Sequence, residues 1–112
     1  MGLQPPAVLD SDDPPAKLVL LDLLRDRRIV VRCWAIFYLG RNCSASSEEI
    51  VSAGLLQALK DPEPRVRRQA AHALAFARLP EAQIQPALLE ALQDEDAEVR
   101  ELASMRLRLK GR

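Results

Sequence analysis

Leu55-Leu56-Gln57-Ala58-Leu59-Lys60-Asp61, followed five residues later by Val66-Arg67 and then by Ala70 and Leu74, decides how this chain is read. The same pattern stands on both sides of it. Upstream, Leu20-Leu21-Asp22-Leu23-Leu24-Arg25-Asp26 leads to Val31-Arg32, Ala35 and Leu39. Downstream, Leu88-Leu89-Glu90-Ala91-Leu92-Gln93-Asp94 leads to Val99-Arg100, Ala103 and Leu107. The copies align without gaps through this core, 35 and then 33 residues apart. Self-similarity at such a period marks a stacked-repeat architecture.

Each copy predicts two helices. The first carries leucines at i, i+1 and i+4, an apolar stripe at helical period. The second places Val, Ala and Leu at 0, +4 and +8 of one face, and its alanine lets a neighbouring helix come close. Turn and cap residues separate the two. Pro64 suits a first helical position after Glu63, and Asp96 suits an N-cap. Ser46-Ser47-Glu48-Glu49 has capping-box spacing, and Gly40 and Gly111 are placed to end helices.

The pattern L-L-x-x-L-x-D, then V-R-x-x-A-x-x-x-L, resembles the short HEAT-like repeat found in phycobilin lyase subunits and many other prokaryotic scaffold proteins. The resemblance covers about residues 17–110. It implies an all-α fold, a right-handed α-solenoid of three HEAT-like hairpins with about six helices. Repeats are expected at about 16–45, 46–80 and 81–110, within a domain of residues 16–112. A tetratricopeptide has a similar period, but its Trp, Gly-Tyr and Pro signature is missing here. Ankyrin's Thr-Pro-Leu-His is missing too. Residues 1–15, with Pro5, Pro6, Pro14, Pro15, Asp10, Asp12 and Asp13, read as an extended arm. Asp13 before Pro14 reads equally as the cap of the first helix.

The whole composition agrees with helices. Of 112 residues, 48% are hydrophobic and only 4% aromatic, so Leu and Ala supply most of the apolar mass. Both enter helices at little entropic cost. Sixteen basic and sixteen acidic residues cancel, leaving no global field to draw nucleic acid or an anionic membrane. The balance is uneven along the chain: Arg25, Arg27, Arg28 and Arg32 crowd one turn, and Glu90, Asp94, Glu95, Asp96 and Glu98 another. Cys33 and Cys43 lie ten apart without the tight spacing of a zinc site, so they read as free thiols and no metal is expected. There is neither a signal-peptide pattern nor an apolar run of membrane-spanning length, and Pro6 spoils a myristoylation signal. A cytoplasmic protein is the expectation.

Candidates for chemistry are few. His72, the single histidine, has no Ser, Cys or carboxylate arranged around it as a nucleophile system, and reads as a surface residue. The acidic run 94–98 lacks the glycine and loop length of a calcium hand. No glycine-rich phosphate loop is present. No enzyme and no cofactor are expected. Arg32, Arg67 and Arg100 recur once per repeat, as a phosphate-tracking stripe would require. Each comes with an aspartate at fixed offset, so an Asp–Arg ladder with Asp26, Asp61 and Asp94 is the better reading, and nucleic-acid binding is disfavoured.

The positions outside the repeat pattern point to binding. Offsets +2, +3 and +6 of each second helix should face outward: Cys33, Trp34, Phe37; Arg68, Gln69, His72; Glu101, Leu102, Met105. The resemblance implies that second helices line a concave face. A continuous ridge of Trp34, Phe37, Arg68, His72, Leu102 and Met105 is therefore the expected partner-binding surface, unless the N-terminal arm covers Trp34 and Phe37. The expected function is a non-catalytic scaffold that takes a helix or peptide segment of another protein. The resemblance also admits an accessory subunit or chaperone of a bilin lyase system. Arg106 and Arg108 make the last hairpin polar, whereas the first is apolar around most of its surface. A homodimer through the N-terminal hairpin, or coverage by the arm, is expected there.

Overall fold

A computed structural model describes residues 14–41 and 47–110. Among these residues stand six helices: α1 (Pro14–Leu23), α2 (Ile29–Arg41), α3 (Glu48–Ala58), α4 (Pro64–Phe76), α5 (Glu81–Ala91) and α6 (Ala97–Lys110). They pair as three hairpins, α1/α2, α3/α4 and α5/α6. The second helices pack most densely on one another, α2 on α4 and α4 on α6, with α1, α3 and α5 forming a second layer. The chain is thus an all-α solenoid of three repeats.

The repeated residues are the core. Val31, Val66 and Val99 are buried, as are Ala35, Ala70 and Ala103, which are wholly inaccessible. In each leucine pair the first member is buried, Leu20, Leu55 and Leu88. The second sits on the flank: Leu21 and Leu56 are half-buried and Leu89 is exposed. The stripe of a first helix is therefore narrower than its run of leucines.

Two glycines show how close the layers lie. Gly40 does not end its helix: α2 continues to Arg41, and no glycine among the described residues has positive φ. A Cβ at Gly40 would lie 3.0 Å from the Ala73 Cβ, so this glycine permits the α2–α4 approach. At Gly54, a Cβ would lie 2.7 Å from Leu39 Cδ1 and 2.8 Å from Leu21 Cδ2. Lys17, also buried, donates from Nζ to the Tyr38 carbonyl at 2.8 Å. That carbonyl belongs to the last turn of α2, where backbone oxygens lack helical partners and attract a cation.

The caps are mixed. Pro64 opens α4 after Glu63. Asp96 caps α6, accepting from the Val99 N–H at 3.1 Å. Ser47 precedes α3 without a side-chain capping bond. Ser46 of the expected capping box, Cys43, Gly111 and the arm up to Asp13 lie outside the described residues. No helix among those described is long and apolar enough to cross a membrane.

Candidate interaction face

The arginine–aspartate ladder is present, with one change of partner. Arg32 Nη1 donates to the Asp26 and Arg27 carbonyls, and its Nε donates to the carboxylate of Asp61 in the next hairpin at 3.0 Å. Arg67 repeats this with the Asp61 and Pro62 carbonyls and the Asp94 carboxylate at 3.1 Å. Each arginine thus uses the backbone of its own aspartate and the carboxylate of the following one. In each turn the aspartate Oδ1 also accepts from the N–H two residues ahead, at 2.9 Å in all three. Both inter-hairpin pairs are largely shielded, with side chains 12–15% exposed. Arg32 and Arg67 are engaged there rather than arrayed for phosphates.

Arg68 adds a rung beside the ladder, donating from Nε to both Asp96 oxygens at 3.0 and 3.1 Å. This guanidinium holds the Asp96 carboxyl below its ordinary value. Cys33 is half-buried, and burial pushes its thiol up, away from a reactive thiolate.

Along α2, α4 and α6 lie two shallow hollows that meet at His72. The first, about 250 Å³, is lined by Phe37, Gly40, Arg41, Gln69, His72, Ala73, Phe76 and Ala77. The second, about 430 Å³, is lined by His72, Glu98, Glu101, Leu102, Met105 and Arg108. Small residues floor the first, and aromatic groups wall it. The His72 and Phe76 rings pack at a tilt of 51° with centroids 4.9 Å apart, and the Arg41 guanidinium lies 5.6 Å over Phe37.

Of the six ridge residues expected from sequence, Phe37, His72, Leu102 and Met105 line these hollows. Trp34 is half-buried and lines neither, and Arg68 is paired to Asp96. Phe76 escaped the sequence reading although it is 62% exposed, the most exposed large hydrophobic residue described. It stands at offset +10, where Arg41 and Leu109 stand in the other hairpins. Continuing the outward stripe by one more turn would have found it.

A larger groove, about 490 Å³, runs between α3 and α5 on the other layer, lined in part by Leu56, Lys60, Gln83, Pro86 and Glu90. Pro86 lies inside α5 and has no N–H for the Ala82 carbonyl. This groove is a packing gap with a charged rim. It lacks the exposed aromatic groups of the α2/α4/α6 face. Among the described residues no group of three or more His, Cys, Asp and Glu could hold a metal ion.

No curated protein matches the chain. A family model described as HEAT repeats matches residues 17–108, a span that takes in almost all of the three hairpins and both inter-hairpin rungs. The chain belongs to the HEAT repeat family.

Proposed function

We propose that this protein is a non-catalytic scaffold that binds a helical or extended segment of another protein along the α2/α4/α6 face. The observation that carries this reading is the pair of hollows joined at His72, with Phe37 and Phe76 exposed beside a floor of Gly40, Ala73 and Ala77. Exposed aromatic side chains over a groove match the composition of interface hot spots. The hollows are too shallow to enclose a small substrate, but a rod lying across three parallel helices fills them side by side. Leu102 and Met105 continue the apolar strip, and Met adapts to differing partner shapes. Arg41 lines one end, and Glu98 and Glu101 outnumber Arg108 at the other, so the strip's ends differ in sign, which orients a segment.

The test is affinity capture with wild type and with the Phe37→Ser/Phe76→Ser variant, each first checked for unchanged melting. A protein retained by wild type and lost with the variant supports this face. Retention by both, or by neither, contradicts it.

A further inference from the structure

The two hollows of the α2/α4/α6 face differ in height as well as in position. As second members of successive hairpins, these helices run parallel. An offset from Val31, Val66 or Val99 therefore measures height along the face, about 1.5 Å per residue. The helices are nearly level, since Gly40 at +9 lies against Ala73 at +7. The α2/α4 hollow lies toward the helix C-termini, lined by Phe37 at +6, Arg41 at +10 and Phe76 at +10. The α4/α6 hollow reaches down toward the N-termini, to Glu98 at −1 and Glu101 at +2. His72, at +6 on the middle helix, belongs to both.

A half-turn about an axis standing on His72, normal to the face, carries each hollow onto the other. It exchanges α2 with α6, reverses α4 upon itself and brings together positions whose offsets average +6. Those positions are complementary. Arg41 at +10 meets Glu101 at +2, and both are exposed. Phe37 meets Met105, each at +6, a sulfur against an aromatic ring. Trp34 at +3 meets Arg108 at +9, a guanidinium against an indole. Leu102 at +3 falls over Gly40 at +9, in the floor of the first hollow. On α4 itself, Phe76 at +10 meets Arg68 at +2, whose guanidinium is held in place by Asp96.

We infer that a second copy of this chain seats on the face, antiparallel to the first, with the two-fold axis at His72. In such a symmetric interface each contact is made twice, once in each direction. A foreign segment has to match Arg41 and Glu101 with charges of its own, whereas a second copy brings both already placed. The rings of Phe37 and Phe76 stand out from a shallow surface three helices wide, fill the space between two facing copies and leave water on pairing. The pair closes the surface that a partner uses, so the second copy and a partner segment compete. This inference rests on the face proposed above and names a further occupant for it. Its test needs no partner, and capture of a partner needs no dimer, so either reading can fail alone.

Sedimentation of the full chain between about 10 µM and 1 mM, the range of weak contacts, should show a dimer that grows with concentration. Arg41→Glu sets acid against acid at both edges of the pair, and Glu101→Arg sets base against base. Each variant alone should weaken dimerisation roughly tenfold or more. Both side chains are exposed, so both variants should stay folded, as melting checks. An equimolar mixture of the two places an acid opposite a base at both edges again. It should regain the average mass of wild type, as should the double variant Arg41→Glu/Glu101→Arg. A wild type that stays monomeric over the whole range overturns the proposal. So does a dimer indifferent to both charges, which belongs to another surface such as the first hairpin. Loss of the dimer in the single variants without recovery in the mixture overturns it as well.

Discussion

Arg67 joins three stretches of chain: the turn carbonyls of its own hairpin, the helix that carries it, and Asp94 in the next hairpin. Arginine rather than lysine is needed, because the planar fork serves two directions at once. Other carboxylates in the three turns carry a pH signature. Arg28 holds the Asp26 carboxyl at about 2 against an ordinary 3.8, and Arg68 and Arg65 lower those of Asp96 and Glu63. A carboxyl that is more acidic in the folded chain binds fewer protons there than in the unfolded chain. Its stabilisation is complete above the unfolded value and fades as pH falls through the folded one. The melting temperature should therefore drop on acidification below about pH 4. Asp96→Asn keeps a capping oxygen but loses the charge, and should make that acid limb shallower; an unchanged slope in a melting series contradicts the Arg68 pairing. Single side chains also separate binding from packing. Phe76→Ala, at 62% exposure, should leave stability within about 0.5 kcal/mol. It should weaken partner binding by roughly 2 kcal/mol if it is a hot spot. Trp34→Ala, half-buried, should lose stability as well, by about 1–3 kcal/mol, part of the cost of a fully buried tryptophan. Paired melting and binding curves for the two variants check this contrast.

At the scale of elements, the Val-Ala-Leu stripe of each second helix was legible because it repeats: three valines and three alanines occupy one buried face. Ala70→Phe should overpack the α2–α4–α6 layer and cost about 1–3 kcal/mol or more, read by denaturant unfolding. Gly54→Ala weighs two effects against each other. Alanine gains up to about 1 kcal/mol of helix propensity over glycine. The new Cβ would stand 2.7 Å from Leu39, itself wholly buried, and overpacking there costs about 1–3 kcal/mol. Packing should win, so Gly54→Ala should lower the melting temperature; a rise would mean that Leu21 and Leu39 move aside freely. Spacing alone could not reveal this, nor that Gly40 is a contact rather than a cap. Both facts depend on how near the adjacent hairpin lies. The same limit explains why Trp34 drops out of the candidate face, whereas Phe76 lay one turn further along the same outward stripe. Offsets name the residues that point outward, while the neighbouring helix decides which of them stay uncovered.

For the whole molecule, repetition fixes the stack, and departures from it mark the surfaces with something to bind. The first hairpin leaves Leu18, Val19 and Val30 about half exposed. A chain lacking residues 1–13 should associate or lose solubility if the arm covers these side chains, whereas a second copy on the same surface would already show as a dimer of the full chain. Sedimentation of the two forms tells these apart, and an unchanged monomer with unchanged melting in both removes both explanations. Partner binding belongs to the α2/α4/α6 face in the function proposed above. Its most direct measurement is site-specific photocrosslinking in the native cell, with a photoreactive phenylalanine at position 37 or 76 and, as control, at position 57 on the other layer. Discrete protein adducts are expected from positions 37 and 76 and none from position 57. Adducts from position 57 alone, or from none of the three, would contradict it.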